Sequence, residues 1–148
     1  YEFEADEIGI VYPIYGHMPP YMVRQFIQKA KLKAEYKFAV LTYGARKCDA
    51  VEIWDRISRK ADNAFDYINT IIMVDNWLPN FDMNEQLKID KHIPENLQKI
   101  TADINSRLAL ARTGDGGGTA TAPRFYAAEW TRPRGGLPDE KREVLYRD

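Results

Sequence analysis

The chain has 148 residues, 45% of them hydrophobic, which suits one domain with its own core. Lys and Arg number 21 against 22 Asp and Glu, so the net charge of -1 removes the global field that draws proteins to nucleic acid or to an anionic membrane surface. A single cysteine, Cys48, excludes an internal disulfide, a cysteine-held iron–sulfur cluster and a cysteine zinc site.

The acidic start YEFEADE is unlike a signal peptide, and no apolar run approaches the roughly 20 residues that span a bilayer. A cytoplasmic location without a membrane partner is the default expectation. The first predicted element is a strand at Ile8, Ile10, Val11 and Tyr12, a nearly continuous apolar run of the kind buried on both faces of a parallel sheet. Pro13, Ile14, Tyr15, Gly16, His17 and Met18 follow it directly and lead into an amphipathic helix whose inner face is Val23, Phe26, Ile27 and Ala30. A second apolar run, FAVLT at residues 38–42, ends at Thr42, Tyr43, Gly44 and Ala45. A helix follows with Ala50, Trp54, Ile57 and Ala61 on one face, and Cys48 stands just before it as a structural residue. The third run, INTIIMV at residues 68–74, ends in a turn containing Asp75, Trp77, Pro79 and Asn80. Leu97, Ile100, Ile104, Leu108 and Ala111 mark a last helix, with Pro94 in its first turn.

Ile8, Phe38 and Ile68 are spaced by 30 residues, the length of a βαβ unit. Strands alternating with helices predict an α/β fold with a doubly wound parallel sheet. In such sheets ligands sit outside the carboxyl ends of the strands, which makes the three post-strand segments candidate ligand loops. Ordinary connecting loops are the alternative. Residues 113–121, TGDGGGTAT, read as a flexible linker; they lack the Walker spacing and its Lys, and follow a helix rather than a strand. Beyond them FYAAEW at residues 125–130 has the aromatic weight to dock on the domain. Residues 131–148 read as an extended tail, which could cross a neighbouring subunit in a homo-oligomer. Arg112, Arg124, Arg132 and Arg134 form either an anion patch or a solvated surface.

The loop PIYGHMPPYMVRQFI after one strand and TYGA after the next resemble the flavin-contacting loops of flavodoxin-like FMN proteins. The likeness includes the quinone-reductase branch through Pro13, Gly16 and Met18. It also includes bacterial fusions of a flavodoxin-like domain to a ferredoxin module, through Pro79, Asn80 and Phe81. It covers residues 8–108 and implies a three-layer flavodoxin-like domain over residues 1–112, followed by the linker and tail at residues 113–148. FMN is the implied cofactor. Pro13, Ile14, Tyr15, Gly16, His17, Met18, Thr42, Tyr43, Gly44, Ala45, Trp77 and Asn80 are the implied binding residues. Tyr15, Tyr43 and Trp77 would offer aromatic faces, and Gly16 and Gly44 close backbone approach. His17 is the candidate proton donor near the flavin or its acceptor.

Two departures qualify the likeness. The family's first strand and Ser/Thr/Gly-rich phosphate turn have no counterpart before Ile8, and the chain opens on Tyr1. The three strands are then expected to match the family's third, fourth and fifth, with a preceding strand–helix unit missing. No ferredoxin-type cysteine run follows the last helix. The implied activity is an FMN oxidoreductase fed by NAD(P)H, with quinones as candidate acceptors. The alternatives are a flavodoxin-type electron carrier served by a redox protein, and an interaction domain without cofactor. With only His17 and His92 and no carboxylate cluster, no metal site is expected.

Overall fold

The computed structural model describes residues 1–75, 77 and 81–109. Asn80, Ala111 and the linker and tail at residues 113–148 lie outside the described residues. In chain order the elements are β1 (Glu2–Glu4), β2 (Glu7–Pro13), α1 (Tyr21–Lys29), β3 (Lys31–Lys33), β4 (Tyr36–Tyr43), α2 (Ala50–Lys60), β5 (Tyr67–Ile72), α3 (Met83–Gln86) and α4 (Ile93–Asn105). All strand pairing among these elements is parallel: β1 pairs with β3, and β2, β4 and β5 form a second sheet in that order.

One register runs through both sheets. Glu2 lies opposite Lys31, Glu7 opposite Tyr36 and Phe38 opposite Tyr67, 29 residues on in every case. Between the two sheets the Ala5 N–H donates to the Lys33 carbonyl (3.1 Å) and the Tyr36 N–H donates to the Asp6 carbonyl (3.2 Å). β1–β2 and β3–β4 are therefore one long parallel pair, interrupted once on each strand at the same level. The recurrent spacing in the sequence is thus the βαβ repeat made physical, since each crossover helix returns the chain to the same height on the next strand.

The sheet separates two apolar clusters because successive side chains of a strand point to opposite faces. Ala39 and Leu41 face α1 and α2, where Ile27, Ala30, Ala50 and Trp54 are buried against them. Val40 faces the other way, with Tyr67 and Ile71 of β5 and Ile100 of α4. Val23, Phe26 and Ile57 complete the first cluster, Ile104 and Leu108 the second. The helix faces read from periodicity pack as expected on α1 and at Ala50, Trp54 and Ile57 of α2, while Ala61 is the C-cap of α2, Leu97 remains exposed on α4, and Leu108 packs from beyond α4, which ends at Asn105. Helices thus lie on both faces of the parallel sheet.

The expected burial of the first strand on both faces does not hold. β2 is at the edge of its sheet, and Val11 is 64% exposed while Tyr12 beside it is buried. α4 packs over β4 and β5, and its cluster does not extend to β2. Over Gly9 the Phe38 ring takes the space that a Cβ would need, and this gives the outer face of β2 its local cover.

Burial pushes the hydroxyls of Tyr12, Tyr36 and Tyr67 up, Tyr36 to about 12, with Asp66, Asp103 and Glu7 adding to the effect at Tyr36. Tyr36 donates to the Leu108 carbonyl (2.9 Å) and Tyr67 to Asp103 Oδ2 (3.0 Å). Raised folded values mean that the stabilisation is complete below the unfolded tyrosine range near pH 10 and is lost as pH rises through the folded values. The urea midpoint is therefore expected to fall between pH 10 and about 12, and Tyr36→Phe to flatten part of that fall. A midpoint independent of pH across this window would contradict the assignment.

Candidate functional site

Parallel strands place all their carboxyl ends at one edge, so the segments after β2, β4 and β5 meet there. After β2 the Ile14 N–H extends the ladder by donating to the Thr42 carbonyl (2.8 Å). Tyr15 and Met18 then exchange two backbone hydrogen bonds of 3.0 Å each, around a tight turn with Gly16 at φ 52° and His17 at φ 72°. Positive φ at both central residues is the type I′ pattern, unstrained for Gly16 and uncommon for His17. Pro19 and Pro20 follow; Pro20 supplies the N-cap position of α1, where a missing N–H costs nothing.

Three contacts knit the segments together. His17 Nε2 lies 3.5 Å from Cys48 Sγ, joining the turn after β2 to the one before α2. The Asp75 carboxylate packs against Gly44 where a side chain would otherwise project, joining the ends of β4 and β5. Lys91, only 6% exposed, sends its ammonium to the Gly44 and Met73 carbonyls (2.8 Å each) and to Gln86 Oε1 (3.3 Å). Burial lowers the Lys91 pKa and the neighbouring Asp75 opposes that shift. An amine with all three donors occupied acts here as a clamp on two loop backbones. Asp75 Oδ1 also accepts from the Trp77 N–H (3.1 Å).

The residues expected at the site divide by position. Tyr15 (65% exposed) and Trp77 (47%) leave much of their rings open to solvent. Pro13, Gly16 and His17 are exposed, while Ile14, Met18, Thr42, Gly44 and Ala45 are half-buried. Tyr43 is buried, with its hydroxyl pushed up by burial, so its ring is not on the open rim. Asn80 is outside the described residues. Lys91 carried no sequence signal, because its partners are far along the chain. Asp75 could have been found as the polar residue that follows an apolar strand. Among the described residues no group of three or more His, Cys, Asp or Glu is placed to hold a metal ion, and no helix is long and apolar enough to cross a membrane.

A cavity of about 450 Å³ beside Gln28, Arg56 and Lys60 lies near the ends of α1 and α2, away from the rim. A groove of about 590 Å³ follows β1 and β2 past Phe3, Ile8 and Val11, also away from the rim. The strand-end rim is thus an open, mixed surface: two exposed rings, a thiol–imidazole pair, and a floor of backbone carbonyls held by a buried cation. No family model matches the chain, and neither a curated protein nor a solved structure matches it.

Proposed function

We propose that this chain is a flavodoxin-like FMN domain of three layers that transfers electrons at the carboxyl edge of its sheet. The observation that supports the reading most is the convergence of the three strand-end segments through His17 with Cys48, Gly44 with Asp75, and the Lys91 clamp. Fixed loops of this kind are what a large planar ligand needs. The exposed rings of Tyr15 and Trp77 fit an isoalloxazine plane, whereas the expected close approach at Gly44 is taken by Asp75 and Lys91. FMN would supply the redox chemistry. Tyr15 and Trp77 would orient it by stacking, Ile14, Met18, Thr42 and Ala45 would line its surroundings, and His17 would hold a proton for the acceptor.

Flavin fluorescence quenching tests the reading. Because no phosphate-binding turn stands among the residues assigned to this site, FMN and riboflavin should bind the chain with affinities within about tenfold of each other, a difference under about 1.4 kcal/mol. Tyr15→Ala or Trp77→Ala should each weaken binding by about tenfold or more, the cost of losing a stacked ring. Quenching unchanged in both variants would remove the rim from consideration. The exposure of both rings favours one refinement, a carrier that passes electrons to a protein partner rather than an NAD(P)H-dependent reductase. Anaerobic addition of NADH or NADPH to the flavin-loaded protein separates the two: rapid bleaching supports the reductase, and bleaching only by a reduced redox protein supports the carrier.

A further inference from the structure

We propose that the open edge formed by β1 and β2 docks an extended segment of a partner protein in which basic and apolar residues alternate, adding it as a further strand. Among the described residues no strand pairs with the outer side of either element. The Ile14 N–H and the Asp6 carbonyl turn inward to β4, so the two-residue period of a strand turns the N–H and carbonyl of Glu7, Gly9 and Val11 outward. In β1 the Tyr1 carbonyl and the Ala5 N–H turn inward to β3, which leaves those of Glu2 and Glu4 outward. Unpaired backbone of this kind is the template that strand addition uses. The groove past Phe3, Ile8 and Val11 runs along the same edge, away from the strand-end rim.

The side chains fix the chemistry of the occupant. The Phe3 ring lies 5.7 Å from that of Phe26 on α1, and Ile8 and Ile10 pack on the cluster beneath α1, so the α1 side of this edge is apolar. Glu2, Glu4 and Glu7 alternate with them, face the other side and are exposed. Lys31 reaches Glu2 (3.4 Å) and Arg107 reaches Glu7 (3.0 Å), whereas Glu4 has no ion pair among the described residues. The chain itself shows which sequence complements this pattern. On its inner side β1 takes Lys31, Leu32 and Lys33 opposite Glu2, Phe3 and Glu4, basic beside acidic and apolar beside apolar. A strand on the outer side meets the same two faces and so needs the same alternation. An acidic or uniformly apolar segment would set like charge, or none, beside those carboxylates.

Amide hydrogen exchange of the full chain, followed by nuclear magnetic resonance, tests the proposal with a short peptide of alternating lysine and valine as the probe. Without peptide the Gly9 and Val11 amides should exchange freely. Saturating peptide should slow both at least about tenfold, and the matching peptide of alternating glutamate and valine should leave them unchanged. Glu4→Lys should weaken binding at least about twofold, the low end for a cross-strand charge pair. Val11→Pro removes an outward N–H without touching the β4 ladder, a position equivalent to that of Pro13, and should remove most of the protection at Gly9. Circular dichroism of both variants reports the fold independently. Gly9 and Val11 protected before any peptide is added would mean that the edge is already occupied. That result, no protection by the lysine peptide, equal protection by the glutamate peptide, or wild-type binding in a folded Val11→Pro would each overturn the proposal.

Discussion

Asn63→Ala should lower the melting temperature by about 12 °C or more, among the largest losses expected from any single truncation in this domain. Asn63 is 1% exposed and stands where three elements meet. Its Oδ1 accepts from the Leu32 N–H of β3 (3.0 Å), and its Nδ2 donates to the carbonyls of Ile27 (3.2 Å), Ala30 (2.9 Å) and Ala61 (2.9 Å). One side chain thus closes the carboxyl end of α1, the start of β3 and the end of α2. Alanine leaves those backbone groups buried without partners, at about 1–3 kcal/mol for each group that water cannot reach. Several such groups together give about 3 kcal/mol or more, and a domain of this size loses about 4 °C per kcal/mol. Thermal unfolding measures the loss, and hydrogen exchange at the Leu32 amide locates it. A melting temperature within a few degrees of wild type would show that water replaces the side chain.

Trp54→Ala should cost about 3–5 kcal/mol, the usual range for emptying a buried aromatic site. Trp54 is 0% exposed on the inner face of α2. Its ring centroid lies 5.0 Å from that of Tyr12 and 5.3 Å from that of Phe65, both tilted, so a cavity opens between β2 and the segment that leads into β5. Trp54→Phe should cost less than half as much. Phenylalanine keeps part of the ring contact and removes Nε1, a buried donor with no partner among the described residues. The Tyr12 hydroxyl is unpartnered in the same way, so Tyr12→Phe should be neutral or stabilising. Urea unfolding of the three variants checks the order. Equal losses for Trp54→Phe and Trp54→Ala would mean that the indole nitrogen is bonded in solution. Flavin affinity in Trp54→Ala, measured below its unfolding temperature, should stay near wild type, in contrast to Tyr15→Ala and Trp77→Ala.

Much of the architecture was legible from spacing and periodicity. The apolar faces of α1 and α2 could be read because a helix repeats every 3.6 residues and the core requires apolar groups at those positions. The three principal strands could be read from apolar runs at a near-constant interval, but the pairing offset is 29 residues rather than the 30 read from Ile8, Phe38 and Ile68, so Phe38 pairs with Gly9 and with Tyr67. The exposure of Val11 could not be read, since a central strand and an edge strand carry the same apolar letters and differ only in their neighbours. Tyr43 shows the same limit from the opposite direction: expected as an aromatic face at a strand end, it is buried by the chain packed around it.

Although the short β1, β3 and α3 were not legible in it, the sequence by itself determined the three principal strands, the three longer helices between and after them, the order in which they alternate, and the edge at which the strand-end segments gather. Local periodicity and the right-handed βαβ crossover are enough for that. The tertiary structure alone decided the contacts that join those segments. His17 meets Cys48, Asp75 packs on Gly44, Lys91 clamps the carbonyls of Gly44 and Met73, and Asn63 closes three elements. Each of these depends on groups many residues apart being brought within hydrogen-bond or van der Waals distance. No local pattern encodes such a meeting; it follows only when the strands have paired in register and the helices have packed on the sheet.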